Sequence, residues 1–326
     1  MPEGSFGSRL KNAIRQRSLQ VALLLWILLS IVGWLLGRGT PRVVDAIQYS
    51  SMALIALLLE IGLVARLTWR RPVPDLGQRA PERSIALRET LWLWVYGIVV
   101  LIAGRGIGLH FFGEGIALHL NGSLVGATRV QTPAELFTWS AYNSILLALI
   151  PYVVFRLRGY SREQLNLKSS NLKNDTLVIL VVLAIGILVD LTGPNIFQLT
   201  RRQQIVGGSL SFVLHLFGTD LPIMVFIYAI LLPRYFRLVS PMTAFLLGAA
   251  SYPTMHVFES WARYDTLQHS VLSVVLVFLT FFPAGLMKSF LTLRTGNAWV
   301  HLWAFHAISP HVTVDTRLIV HDFNIH

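Results

Sequence analysis

The chain has no cysteine, which excludes disulfides, thiolate nucleophiles and cysteine-ligated zinc. Charge is scarce: 13% of the 326 residues are charged, against about 25% in an average soluble domain. Acids are scarcer than bases, with 16 Asp and Glu against 27 Lys and Arg. No internal repeat is visible, so the inverted-repeat design of many transporters finds no support. No stretch reads as a separate soluble domain.

What is present is apolar. Hydrophobic residues make up 54% of the chain, and the mean hydropathy is +0.60. Several runs reach the ~20 residues that cross ~30 Å of hydrocarbon. Eight spans are expected: Leu19–Gly37, Val43–Val64, Thr90–Phe112, Phe137–Phe155, Leu177–Leu191, Ser209–Leu232, Thr243–Ser260 and Val271–Met287. A shorter ninth segment runs from Ala298 to Val312. The first span is too long for a signal-peptide core and lacks an Ala-x-Ala cleavage site. The expected fold class is an all-α, polytopic membrane helix bundle. It divides into four N-terminal helices over 1–155, with a basic loop at 66–88, and a core over 156–326.

The net charge of +11 is placed by topology. Arg9, Lys11, Arg15 and Arg17 precede the first span. Arg66, Arg70, Arg71, Arg79, Arg83 and Arg88 follow the second, and Arg156, Arg158, Arg162, Lys168 and Lys173 the fourth. Arg234 and Arg237 follow the sixth, and Lys288 and Arg294 the eighth. The alternate loops are poorer, with Arg38 and Arg42, then Arg129, then Arg201 and Arg202, then Arg263. Cytoplasmic loops retain Lys and Arg, so the N-terminus is expected in the cytoplasm. A nucleic-acid-binding face would not alternate with apolar segments, so nucleic acid is not an expected partner, whereas membrane lipids are. Arginine far outnumbers lysine, which hints at a GC-rich bacterial source, and the expected localisation is a bacterial inner membrane.

Among the connecting segments, Trp69–Arg88, with Pro72, Pro74 and Pro81, reads as an irregular connector against anionic headgroups. Gly113–Leu136 alternates Ile116, Leu118, Leu120 and Val130 and reads either as a hairpin turning at Gly122-Ser123 or as a re-entrant segment. Asn121-Gly122-Ser123 matches a glycosylation triplet and carries no weight. Ser161 and Glu163 suit the start of a short interfacial helix within Arg158–Asp175, with an ordinary loop as the plainer reading. Asp45 and Arg105 lie near span ends, Glu60 is a candidate partner for Arg105, and Asp190 reads as a span boundary. Trp92, Trp94, Trp139, Trp299 and Trp303 suit the interfacial aromatic belt.

Three histidines, His215, His256 and His306, lie within apolar stretches. A titratable ring at membrane depth is costly and marks a candidate site. Glu259 follows His256 by one helical turn, and Asp220 lies one to two turns from His215. Three histidines with one carboxylate match the ligand pattern of catalytic zinc. The plainer alternative is that these rings hydrogen-bond between helices, at about 0.6 kcal/mol per contact.

The sixth expected span ends Leu232-Pro233-Arg234-Tyr235-Phe236-Arg237. The seventh carries Tyr252-Pro-Thr-Met-His256, and Thr295-Gly296-Asn297-Ala298-Trp299 leads to His306 and Pro310. With Gly159-Tyr-Ser-Arg-Glu-Gln-Leu-Asn-Leu167 ahead of them, these motifs resemble the CPBP family of intramembrane proteases, which includes the CAAX prenyl endopeptidases. The resemblance covers about 155–312. It implies that Arg237 stands for the arginine of Glu-Glu-x-x-x-Arg, His256 for the histidine of Phe-x-x-x-His, and His306 for that of His-x-x-x-Asn/Asp. The departures are chemical. Leu232 and Pro233 replace the two glutamates, Tyr252 the phenylalanine, and Pro310 the Asn or Asp. A general base must lie within hydrogen-bond reach of its proton, and no carboxylate survives in the family's place.

The leading expectation is therefore a non-catalytic, CPBP-like membrane protein that binds a membrane protein or peptide in the old cavity. The alternative is an active, divergent metal-dependent peptidase using His256, His306 and a relocated acid, Glu259 or Asp220, with zinc as the implied cofactor. A small-solute transporter is the third reading. An acid close to His256 and His306 separates the first two.

Overall fold

In a computed structural model, residues 12, 15–38, 40–120 and 131–326 are described, the side chains of 41 and 42 excepted. Arg9, Lys11, Arg129, Val130 and the Asn121–Ser123 triplet with its proposed turn lie outside the described residues. Among those described there is no strand, and helices dominate. Seven helices are long and apolar enough to cross a membrane, which makes this a multi-pass membrane protein. They are α1 (Arg17–Leu36), α2 (Pro41–Leu67), α3 (Arg83–Phe112), α4 (Pro133–Leu157), α5 (Leu172–Asp190), α6 (Gln203–Leu238) and α8 (Leu267–Thr295).

The seventh expected span forms a shorter helix, α7 (Pro241–Met255), which stops at a turn beginning at His256. Pro253 sits within α7 and has no N–H to give the carbonyl four residues earlier. That carbonyl, of Ala249, lies against Gly285 of α8, where any Cβ would approach it to 2.2 Å. The expected ninth segment is one short helix, α9 (Ala298–His301, continued through Leu302–His306), followed by tight turns to Asp315 and then α10 (Thr316–Asp322).

α6 is the axis of the bundle. Its most apolar window is 83% buried, against 6% for α1, which lies at the periphery. From Ile223 to Tyr235 every residue of α6 is buried. α8 packs on α1, α2, α7 and α9 and closes the other side of the core.

One end of the bundle is rich in arginine. Glu89 of α3 receives Arg234 of α6, with Nε donating to Oε2 at 2.8 Å and Nη2 in an ion pair with it at 2.7 Å, and Tyr160 donates to Oε1 at 2.8 Å. The Tyr160 hydroxyl, pushed up to about 12 by burial and then by its bond to Glu89, stays a donor. Arg71 reaches Asp175 and Asn174 at 2.7 Å, and Asn297 donates to Asp175 at 3.0 Å. Arg294 donates to Thr68 Oγ1 at 2.7 Å and to the carbonyls of Thr68 and Arg71. The turn after α8 needs Gly296, whose φ of +66° favours glycine, and its carbonyl accepts from Arg79 at 2.5 Å.

Several sequence expectations are corrected here. No interfacial helix forms at Arg158–Asp175: Ser161 and Gln164 close a turn on each other, and α5 begins only at Leu172, capped by Asn171. Glu60 does not pair with Arg105, which instead lies 5.6 Å from the Phe258 ring and 5.5 Å from that of Tyr264. Asp190 is more than a boundary, since its Oδ2 accepts from Ser309 and Thr313 and ties the C-terminal segment to α5. Residues 114–120 form no strand and fold back onto α3, burying Ile116 to Leu120.

Candidate metal centre

Five elements converge at the end of the bundle opposite the arginines. α6 brings His215 and Asp220, the segment before residue 121 brings His119, and the turn after α7 brings His256 and Glu259. α9 brings His306, and the turns after it bring His311 and Asp315. All eight residues are at most 5% exposed. Asp220 and His306 each close a π-helical turn, at Leu216–Asp220 and Leu302–His306, a local widening that recurs at functional sites.

His119 reaches the cluster because two glycines let its segment approach α3. A Cβ at Gly108 would lie 2.3 Å from the Glu114 carbonyl oxygen and 2.4 Å from the Ile116 nitrogen. At Gly104 the carbonyl accepts from Ile116 N at 3.1 Å. Trp139 Nε1 and Asn143 Nδ2 then hold the Ala117 carbonyl at 3.1 and 2.9 Å.

The rings are oriented by one nitrogen each. Nδ1 donates to the Leu120 carbonyl in His119 (2.9 Å), to the Ser211 carbonyl in His215 (2.8 Å) and to the Tyr252 carbonyl in His256 (2.7 Å). In His311 it meets the Asp315 carboxylate at 2.8 Å. A carbonyl can only accept, so in the first three rings Nδ1 carries the proton and Nε2 is left as an electron-pair donor. Metal-ligating histidines are held in this way, by a carbonyl or carboxylate on the far nitrogen.

Two further nitrogens close on Asp220. His306 Nδ1 lies 2.9 Å and His311 Nε2 3.6 Å from Asp220 Oδ1. None of the three atoms has a hydrogen-bond partner, nor do Asp220 Oδ2 and His256 Nε2. Buried polar atoms are nearly always paired, and an orphan leaves about 1–3 kcal/mol of desolvation uncompensated. Asp220 Oδ1, His306 Nδ1 and His311 Nε2 meet only one another, which fits donors that could share a cation. Donor atoms of His119, His306 and His311 lie within 4.8 Å of one another. On one tetrahedral zinc such atoms stand roughly 3.3 Å apart, from Zn–N bonds of about 2.0 Å, so small rotations suffice. The set of nitrogen and carboxylate donors suits zinc.

A second trio, His215, His311 and Asp315, also has donor atoms within 4.8 Å, with the His215 and His311 rings stacked at 4.3 Å. Since Asp315 already holds His311 Nδ1, it serves as the carboxylate that orients a ligand. Lys288 lies beside the cluster, its Nζ 3.9 Å from the Tyr252 ring centroid, and Tyr252 packs on His256 at 4.3 Å.

The sequence-derived residues thus separate. His306 and Asp220 belong to the centre. His256 and Asp220 both belong to neither donor trio, but Asp220 lies 2.9 Å from His306 and 3.6 Å from His311, whereas His256 borders the group, 6.2 Å ring to ring from His119. His215 stands behind His311. Glu259 accepts from the His119 backbone N–H at 3.3 Å and so supports that segment. Arg237 is exposed at the opposite end, whereas Arg234 on the same helix is buried, 1% exposed. His119, His311 and Asp315 are additions from the structure. The spacing of His311 and Asp315, four residues apart, was the available signal for that pair.

Comparison with protein-family models, curated proteins and solved structures finds no match.

Proposed function

We propose that this protein is a membrane-embedded, metal-dependent hydrolase that cuts peptide bonds, with the CPBP-like motifs marking a divergent relative of that family. The observation that carries this reading is Asp220, a buried carboxylate 2.9 Å from His306 that supplies the acid missing at Leu232 and Pro233. His119, His306, His311 and Asp220 would hold a zinc ion. When bound, zinc supplies Lewis acidity and an activated nucleophile near neutral pH. Asp315 fixes the His311 ring, Glu259 steadies the backbone that carries His119, and Tyr252 and Phe281 wall the His256 edge against lipid. A peptide substrate rests on the motif resemblance. In this reading the arginine-rich end faces the cytoplasm of a bacterial inner membrane, and α7 and α9 add short crossings to the seven long helices.

The test is metal content of the purified protein by mass spectrometry, beside Asp220→Asn and His306→Ala. Hydrolysis of transmembrane peptides in proteoliposomes is measured in the same preparations. Near-stoichiometric zinc and cleavage, both lost in the variants, is the expected result. Absence of metal after zinc loading overturns it.

A second reading, a non-catalytic binding protein, is favoured by one observation. Leu232 and Pro233 are buried apolar packing at the motif position. Zinc without cleavage of any peptide would select it.

A further inference from the structure

At the arginine-rich end a groove of about 400 Å³ opens between the first turns of α3 and the last turns of α4. Its walls are apolar, with Tyr96, Ile150 and Val154 along the depth and Trp92, 72% exposed, at the side. Its mouth holds Arg88 and Arg158. We propose that this groove is a specific site for one acidic phospholipid, with an acyl chain along the apolar wall and the headgroup phosphate between Arg88 and Arg158.

Charge decides the headgroup. Glu89 is the one carboxylate lining the groove. Its Oε2 is taken by Arg234, and its Oε1 by Tyr160 and by Arg158 Nη2 at 3.0 Å. Three guanidinium groups, of Arg88, Arg158 and Arg234, therefore face one carboxylate, and none remains for Arg88. Arg234 is sealed within the core, stacked 4.4 Å from the Phe155 ring, so the surplus is expressed at the mouth. There the Arg158 side chain is 50% exposed and Arg88 is exposed. A guanidinium presents paired donors to a phosphate, and basic residues at a membrane surface attract acidic lipid. An apolar slot ending in two such groups matches the shape and charge of an acidic phospholipid and offers a zwitterionic one no advantage. The site is independent of the histidine cluster.

Native mass spectrometry from mild detergent tests it, with phosphatidylglycerol and phosphatidylcholine of identical chains. Arg88→Gln is the main variant, because Arg88 supports no other residue, and Arg158→Gln is the second. Arg70→Gln, an exposed arginine at the same end but outside the groove, removes the same charge. The expected result is one retained phosphatidylglycerol in preference to phosphatidylcholine. Retention falls roughly fivefold for each groove arginine removed and is unchanged in Arg70→Gln. Equal retention of both lipids, no loss in Arg88→Gln, or an equal loss in Arg70→Gln would each overturn the proposal.

Discussion

The two ends of this bundle bury polar groups in opposite ways. At the arginine-rich end every carboxylate oxygen of Glu89 and Asp175 has a partner, and the guanidinium groups of Arg71 and Arg294 fasten three segments together. At the histidine end Asp220 has neither oxygen hydrogen-bonded, although two imidazoles crowd it. Burial is equal at both ends, so burial does not tell them apart. The carboxylates do: those of Glu89 and Asp175 have every oxygen hydrogen-bonded, whereas Asp220 has neither.

The sharpest way to break this contrast is to remove one carboxylate from each end. Glu89→Gln should lower stability by about 3–5 kcal/mol, because it strands a buried guanidinium, and denaturation in detergent would show it. Asp220→Asn should cost the metal-free protein much less, since it strands no guanidinium, while cutting zinc affinity by ~100-fold or more, beyond the effect of an outer-shell change. A matching stability loss in both variants would erase the distinction.

Smaller effects sharpen it. Gly108→Val pushes the segment carrying His119 off α3, and Asp315→Asn frees the far nitrogen of His311. Each should weaken zinc about 10–100-fold in a competition titration. Chelation should lower the melting temperature of the wild type, which binds the ion only when folded, and leave Asp220→Asn unmoved. The smallest expected effect belongs to Arg237→Gln. It should change stability by less than about 0.5 kcal/mol, as for an ordinary surface site, whereas Arg234→Gln should behave like Glu89→Gln.

The long helices were legible because apolar length is a local property, and seven of the eight expected spans coincide with membrane-length helices. α7 was overdrawn, since the apolar residues past Met255 continue in a turn rather than in the helix. The site was half legible. His306 and Asp220 stood out as polar residues in apolar runs. His119 and His311 lie in irregular segments with no periodicity to interpret, and only the close approach at Gly104 and Gly108, or the His311–Asp315 spacing, hinted at them. Motif register favoured Arg237 over Arg234. The structure instead buries Arg234, which donates to the Ile230 carbonyl at 2.5 Å, and leaves Arg237 exposed, far from the histidines.

α6 carries both Asp220 and Arg234, fourteen residues apart, or about 20 Å along a helix rising 1.5 Å per residue. Because Arg234 is locked to Glu89, the helix works as a ruler with its zero fixed at one membrane surface. Asp220 is then held at a set depth, and under the proposed hydrolase reading the centre would meet only bonds that a partner presents at that level. Selection by depth would come before selection by sequence.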